Sequence, residues 1–280
     1  MTKETAEAAG LATLIQRAKE LSAGGHYQTA LPLWTTALQV AKETVGERHA
    51  RVLFLTEELA DCLEHLNRWA PAAYHWSMAF NLSRDLRGLN DECTGTIARR
   101  AGVACLRLNQ RARAVPLWET ALAIARRLYG DTNPTTLFCI KNLARCLASL
   151  RQNQRVIALT EPLCQAFFDG VPLPPKYSEP IFHSLAQSLT ATSRHARAVK
   201  YWRTYSILCS AHYGDGDRIT MNAWREWGCA LGKSGRRAEA VTVLTRCREL
   251  AATLYGADHQ VTREMVGLIG RYESARQQAA

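Results

Sequence analysis

The side chains best suited to contact a partner are cations, one amide and one aromatic ring in the middle and later parts of the chain. They are Arg99, Arg100, Arg107, Phe138, Lys141, Asn142, Arg145 and Arg225. Guanidinium groups bind carboxylates through paired hydrogen bonds, so this set predicts a site for acidic residues. Asn142 is suited to hydrogen-bond a peptide backbone. An apolar side chain of the partner would lie near Phe138 or Val103.

No catalytic, metal or nucleotide motif accompanies these residues. The stretch 228–234, GCALGKS, is similar to a phosphate-binding loop, but the first glycine would have to stand five residues before Gly232, where Trp227 stands. The eight histidines are dispersed without an H-x-x-x-H pair or a ligand set with cysteine, and His49 and His259 are expected to complete turns. No nucleophile motif is present. We therefore predict a protein that is not an enzyme and that needs no metal or cofactor.

Composition and charge indicate in which compartment the protein works and what kind of partner it binds. The formal net charge is +10, which favours acidic partners. The nine cysteines form no C-x-x-C pair, and they are expected to be small core residues in a reducing compartment rather than disulfides. The N-terminal segment MTKETAEAAG has no apolar core of a secretory signal, and no run approaches the roughly 18 apolar residues of a membrane span. The predicted location is the cytoplasm.

A 42-residue repeat organises the chain, because three columns of residues keep this step without one insertion. A column of mostly aromatic residues contains Trp34, Trp76, Trp118, Thr160, Trp202 and Leu244. A column of small residues contains Ala18, Ala60, Gly102, Ala144, Ala186, Gly228 and Gly270. A third column contains Gly46, Gly88, Gly130, Pro172, Gly214 and Gly256. Columns in such register predict an array of stacked repeats.

Each repeat is predicted to be two antiparallel helices. In the fourth repeat the apolar residues Ile140, Leu143, Ala144 and Leu147 form the stripe of a first helix, and the small residue lets the second helix approach closely. The tryptophan column falls on the packed stripe of the second helix, and the glycine column ends that helix in a left-handed conformation. We predict one domain over residues 1–280, with repeats at about 8–50, 51–91, 92–134, 135–176, 177–218 and 219–260 and a capping helix at 261–277.

These columns resemble the tetratricopeptide repeat, whose usual length is about 34 residues. The residues that carry the likeness are A-L-P-L-W-x-x-A-L at 30–38, A-V-P-L-W-x-x-A-L at 114–122, and Leu128-Tyr129-Gly130 followed by Asn133-Pro134. The longer period is similar to that of kinesin light chain repeats. The resemblance implies an all-α, right-handed superhelical solenoid of six helix pairs plus a C-terminal capping helix. It also implies a non-catalytic scaffold or adaptor for protein–protein interaction, of the kind that accepts short acidic peptides, often with a tryptophan.

The first helices are expected to line the concave side of the array, which is the usual binding surface of solenoids. At about 100° per residue, the apolar stripe of the fourth repeat leaves Phe138, Asn142 and Arg145 pointing away from the core. The equivalent and flanking positions in other repeats are Arg99, Arg100, Arg107, Lys141 and Arg225. The prediction is a groove that holds an extended, acidic peptide of a protein partner.

Three alternatives to the groove stay open at this point. The basic residues could form a solvated face that pairs with Glu57, Glu58 and Asp61. The chain could bind RNA or phosphate through basic patches at 111–113, 126–127 and 236–237, although base reading needs the same polar positions in each repeat, and these vary. The chain could also assemble with itself through the ends of the stack, so the oligomeric state stays undecided.

Overall fold

The computed structural model describes the backbone of residues 3–277 and the side chains of residues 9–274. Within that part of the chain, every regular element is an α-helix. The helices are α1 (Lys3–Ala23), α2 (Tyr27–Val45), α3 (Ala50–His65), α4 (Trp69–Arg87), α5 (Glu92–Arg107), α6 (Arg111–Tyr129), α7 (Pro134–Ser149), α8 (Asn153–Phe168), α9 (Pro175–Ala191), α10 (His195–Tyr213), α11 (Arg218–Lys233), α12 (Arg237–Tyr255) and α13 (Gln260–Gln277). The all-α architecture of six antiparallel helix pairs and a capping helix is confirmed.

The chain divides into two compact units, residues 1–146 (unit 1) and residues 147–280 (unit 2), with the boundary inside α7. In unit 1 the consecutive helices from α1 to α6 pack on one another. In unit 2 the consecutive helices from α8 to α13 do the same. We call α1, α3, α5, α7, α9 and α11 the first helices of their pairs, and their partners the second helices. The single domain over residues 1–280 stays a prediction.

The tryptophan column lies in the core, against the small residues of the paired first helix. Its four tryptophans are at most 3% exposed, and they are Trp34, Trp76, Trp118 and Trp202. A Cβ atom on Gly102 would lie 2.7 Å from Cε2 of Trp118, and one on Gly228 would lie 2.7 Å from Cγ of Leu244. Glycine therefore allows the two helices of these pairs to come closer than alanine would, as the small column predicts.

Each turn inside a helix pair holds one residue in the left-handed region, at the same position of the repeat. These residues have φ between 57° and 89°, and they are Gly25, Asn67, Asn109, Arg151, Ser193 and Gly235. The next residue donates its N–H to a carbonyl five residues back, as Arg68 does to Leu63 at 2.9 Å. This is the Schellman arrangement, which satisfies the last carbonyl groups of a helix.

The loops between pairs cap the following first helix with a side chain. Nδ1 of His49 and Nδ1 of His259 each accept a hydrogen bond from the N–H two residues later, at 3.0 and 3.2 Å. The same position of the repeat holds Asp91, Asn133 and Asp217. The side-chain oxygens of Asn133 and Asp217 accept from the N–H two residues later, and that of Asp91 accepts from the N–H of Thr94, three residues later. The role predicted for the two histidines is confirmed, because a capping acceptor stabilises the start of a helix.

Membrane and metal chemistry find no support in the part of the chain that the structure describes. Over this part, no helix has the length and apolar character needed to cross a bilayer. Its histidine, cysteine and carboxylate side chains nowhere gather in the groups of three or more that a metal ion would need. All nine cysteines are free, and seven of them are buried.

Candidate functional site

Two of the predicted site residues on α5, Arg99 and Arg107, reach the surface of unit 1. Arg99 is half-buried, and its Nη2 donates a hydrogen bond to Oγ1 of Thr96 at 3.2 Å. Arg107 is exposed, and its guanidinium carbon lies 5.0 Å from the ring centroid of Trp69. No carboxylate oxygen of the described side chains lies within 4 Å of either guanidinium group. Both can therefore meet an acidic group of a partner.

Arg100 is held by carboxylates of α3. Its guanidinium contacts the carboxylate of Asp61, and its Nη1 lies 3.4 Å from Oε2 of Glu64. Its guanidinium carbon also lies 4.8 Å from the ring centroid of Trp76. Burial lowers the pKa of Arg100 while Glu57 opposes that shift, and the group stays charged because arginine does not deprotonate in proteins. Arg100 thus forms the ion pair that the solvated-face alternative expects.

The carboxyl groups of α3 give unit 1 an acidic strip beside these cations. Burial raises the pKa of Glu57, with Arg87 opposing the shift, and burial also raises the pKa of Glu58, with Lys19 opposing it. The corresponding positions of α5 and α7 carry no carboxylate. The first-helix face of unit 1 therefore changes from acidic on α3 to basic on α5 and α7.

The predicted residues of α7 pack closely on one another. Phe138 meets Trp118 edge to face with ring centroids 5.6 Å apart, and Nζ of Lys141 lies 5.4 Å from the Phe138 ring. Asn142 is only 5% exposed. Its Nδ2 donates to the carbonyl of Phe138 at 2.8 Å, and its Oδ1 accepts from Nη2 of Arg145 at 3.1 Å. The amide of Asn142 is thus bonded within its own helix, and a partner backbone would have to compete for it.

Arg225 belongs to unit 2, where it lines an open cleft of about 520 Å³ between α9, α10 and α11. Nη2 of Arg225 lies 2.9 Å from Oε1 of Glu226, so the two side chains form an ion pair. Gln187 and Asn222 line the same cleft with amide groups. Three of the lining residues stand at first-helix positions that the repeat assigned to the binding face. They are Gln187, Asn222 and Glu226, which correspond to Arg145, Phe138 and Asn142. A cleft of this volume is in the range of ligand sites.

The aromatic side of this cleft was not predicted as a site. The ring of His183 lies 5.6 Å from that of Trp202 and 5.0 Å from that of Tyr205, centroid to centroid. Burial lowers the pKa of His183, with Glu226 opposing the shift. The Trp202 indole donates to Oγ1 of Thr190 at 2.9 Å, which fixes the ring at the cleft wall. A signal was available, since His183 shares the 42-residue column of Arg99, Lys141 and Arg225.

Comparison with known proteins finds similarity in the repeat sequence and in the fold. A family model described as a tetratricopeptide repeat matches residues 96–135, which contain α5 and α6. Comparison with curated proteins finds no match. The structural comparisons reported below share at most 16% of their residues with the chain, so they inform on the fold alone.

Three solved structures align with the chain, two of them at TM-scores above 0.5. The chain is similar to YrrB, described as a TPR protein with an unusual peptide-binding site, at TM-score 0.54, 16% identity and coverage of 81% of this chain and 96% of that one. It is similar to BtubC (BKLC) from P. vanneervenii at TM-score 0.52 and 16% identity, covering 76% and 94%. The repeats of a Podosopora anserina putative kinesin light chain align at TM-score 0.44 and 16% identity, covering 88% and 96%.

The tetratricopeptide fold is generally a module for protein–protein interaction. Three features recur at fixed positions of the repeat. They are the small residues packed against the tryptophan column, the left-handed residues of the turns, and the side-chain caps of the helices. With the family match at residues 96–135, these features make the chain similar to tetratricopeptide repeat proteins.

Proposed function

We propose that the chain is a non-catalytic scaffold that binds an extended segment of a partner protein on its first-helix faces. The segment lies along the first-helix face of unit 1 or in the cleft of unit 2. Its acidic residues face the cations of α5 and α7, including Arg99, Arg107, Lys141 and Arg145. Its partner is soluble protein rather than membrane, and the compartment is the cytoplasm, because nine free cysteines suit a reducing environment.

The cleft of unit 2 is the observation that carries this proposal. Its polar wall offers the amides of Gln187 and Asn222, which pair with the N–H and C=O groups of an extended backbone. Its aromatic wall is formed by the half-buried rings of His183 and Tyr205, which offer an apolar surface for one side chain, whereas Trp202 is only 3% exposed. Arg225 already forms an ion pair with Glu226, so this part of the site favours uncharged residues of the partner.

Unit 1 supplies the preference for acidic residues. The carboxylates of Asp61 and Glu64 already occupy Arg100, so a partner carboxylate would have to displace them to reach that guanidinium. Arg99 and Arg107 carry no such ion pair. We therefore assign the recognition of acidic groups on α5 to Arg99 and Arg107, with Arg100 holding the α3 and α5 helices together.

Filling the cleft of unit 2 tests the proposal. Peptides selected from a random displayed library on the intact protein are expected to bind the Ala191→Trp variant at least tenfold more weakly, because the new ring occupies the space between α9 and α11. Ala211→Trp on α10 is the matched control, since Ala211 is exposed and lies outside the cleft. Equal affinities of the two variants, measured by calorimetry, would remove the cleft from the binding site.

The acidic preference has a separate test. A second library selection on the Ala191→Trp variant, whose cleft is filled, is expected to give peptides enriched in Asp and Glu. Adding Arg99→Gln with Arg107→Gln is expected to weaken the binding of these peptides, while adding Ala211→Trp leaves it unchanged. Selected peptides without such enrichment, bound equally by the arginine variant, would retain the scaffold and discard the charge assignment.

A further inference from the structure

A second surface of unit 1 lies at the turns inside the helix pairs, and it shares Arg107 with the first-helix face. We call it the turn edge, and it consists of residues 23–29, 65–71 and 107–113. These segments contain no Asp or Glu and four arginines, which are Arg68, Arg107, Arg111 and Arg113. The loops between pairs in the same unit, residues 45–51, 87–93 and 129–135, carry acidic residues as well as basic ones. The two ends of the helix pairs therefore differ in charge.

The arginines of the turn edge contact only neutral groups. Nη2 of Arg68 lies 3.5 Å from Oε1 of Gln28, and Nη1 of Arg113 donates to Oε1 of Gln110 at 3.0 Å. Arg111 donates to the side-chain oxygen of Asn109, and Arg107 lies over the ring of Trp69. Among the described side chains, no carboxylate lies within 4 Å of these four guanidinium groups. None of the four therefore forms an ion pair, although the charge of Arg107 acts on Glu64 and opposes the rise of its pKa that burial causes.

Three arginines at the opposite end of the helix pairs form ion pairs. Arg84 lies 3.2 Å from Asp85, Arg87 lies 4.0 Å from Asp91, and Arg126 lies 2.8 Å from Asp131, measured between nitrogen and carboxylate oxygen. Both ends are rich in arginine, but these three guanidinium groups already have carboxylate partners, whereas the four of the turn edge have none among the side chains that the structure describes. The difference is one of pairing and not of composition alone.

Aromatic rings alternate with the cations along the turn edge. The rings of Tyr27 and His65 stack with centroids 4.1 Å apart and an angle of 3° between their planes. Trp69 follows Arg68 in the chain and is half-buried beneath Arg107. Cations that follow a sugar–phosphate backbone, next to rings on which bases stack, are the features by which proteins bind single strands without sequence preference.

We propose that the turn edge of unit 1 binds single-stranded nucleic acid, through its phosphates and by stacking, without reading the sequence. The rings favour a nucleic acid over an acidic polypeptide, because the carboxylates of a polypeptide would pair with the guanidinium groups but nothing in it would stack on the rings. Base reading is not expected, since the turn residues Gly25, Asn67 and Asn109 share a backbone conformation and not a side chain directed at a ligand.

The expected binding is weak and steeply dependent on salt. Each phosphate contact on a single strand contributes about −0.7 to the slope of log K against log salt, so four arginines give a slope of about −3. Affinity of the intact protein for a labelled oligouridylate, measured by fluorescence anisotropy, is then expected to fall about 50-fold between about 50 and 200 mM salt.

Neutral variants at the two ends of the helices make a matched pair. Arg68→Gln with Arg111→Gln and Arg113→Gln is expected to weaken oligouridylate binding at least tenfold at low salt and to reduce the slope by about 2. Arg84→Gln with Arg87→Gln and Arg126→Gln removes the same charge and is expected to change affinity by less than about twofold. Arg107 is left intact because it packs on Trp69.

The folded state and the competing ligand are controlled separately. If the triple variant melts early, the double variant Arg68→Gln with Arg113→Gln, both exposed, is used, and its slope is expected to fall by about 1.4. Three results would each overturn the proposal. They are an equal loss of oligouridylate affinity in the two sets of variants, a salt slope near zero for the intact protein, and displacement of the oligouridylate by polyglutamate at a lower concentration of charge than that of the strand. The Ala191→Trp variant is expected to keep oligouridylate binding, so failure of the peptide site and failure of this surface are distinguishable.

Discussion

Replacing Gly102 by alanine measures how closely the two helices of the third pair approach. The new Cβ would lie 2.7 Å from Cε2, 2.9 Å from Nε1 and 3.0 Å from Cζ2 of Trp118. That ring is fully buried and also meets Phe138 at 5.6 Å, so it has little room to move. Overpacking of this kind costs about 1–3 kcal/mol. Replacing glycine by alanine inside a helix contributes about 0.8–1.0 kcal/mol of stability. The expected net change is a loss of up to about 2 kcal/mol in the free energy of unfolding.

Gly267→Ala is the control, because Gly267 lies in helix α13 with nothing within 4 Å of the added Cβ. It is expected to stabilise by about 0.8–1.0 kcal/mol, so the two variants should differ by about 1–3 kcal/mol in opposite directions. Urea unfolding followed by circular dichroism measures both. In a Trp118→Ala background the clash is absent, and Gly102→Ala should then be as favourable as Gly267→Ala. Equal stabilisation by the two alanines in the parent chain would show that Gly102 imposes no close approach.

Three further outcomes follow from the same structure. Trp118→Ala is expected to lower the free energy of unfolding by about 3–5 kcal/mol through a buried cavity, and an unchanged melting temperature would contradict its place in the core. Arg151 has a φ of 57°, and this left-handed backbone conformation costs a residue with a side chain about 1–2 kcal/mol. Arg151→Gly is therefore expected to raise the free energy of unfolding, measured in urea, by about 0.5–1 kcal/mol, and a loss of stability would refute this. Burial lowers the pKa of His183 from 6.5, so the unfolded chain takes up the proton at a higher pH than the folded chain, and the free energy of unfolding falls as the pH drops below 6.5. His183→Gln is expected to flatten this pH dependence in melting curves between about pH 7 and pH 5. An unaltered profile would argue against the assignment.

Helix ends could be predicted closely wherever one residue type recurs. The glycine column ends the second helices as predicted, with φ of 79–96° at Gly46, Gly88, Gly130, Gly214 and Gly256, but ψ is 157–174° and therefore extended instead of left-handed helical. The turn column was missed, because Gly25, Asn67, Arg151 and Ser193 share a backbone conformation but not a chemical type. Local hydrogen bonding imposes the left-handed residue there, and the sequence shows it only where glycine or asparagine fills the position.

The candidate site was less accessible to sequence reasoning than the fold. The helical period placed Arg100 on a face with other cations, but its partners Asp61 and Glu64 stand on another helix, 39 and 36 residues earlier. Asn142 was expected to meet a partner backbone, yet it is 5% exposed and bonded to Phe138 and Arg145. A periodicity gives the direction of a side chain from its own helix and not what the neighbouring helix brings to it.

The sequence by itself determined the repeat, the pairing of helices, the small residues beneath the tryptophans and the ends of most helices. These depend on contacts within one pair and on hydrogen bonds between residues a few positions apart, which recur with the 42-residue period. Only the tertiary structure decided that carboxylates of α3 hold Arg100, that Asn142 is sequestered in its own helix, and that α9, α10 and α11 leave an open cleft. Such features depend on the distances and angles between successive helices, which are set by the sum of many packing contacts and not by any one column of residues.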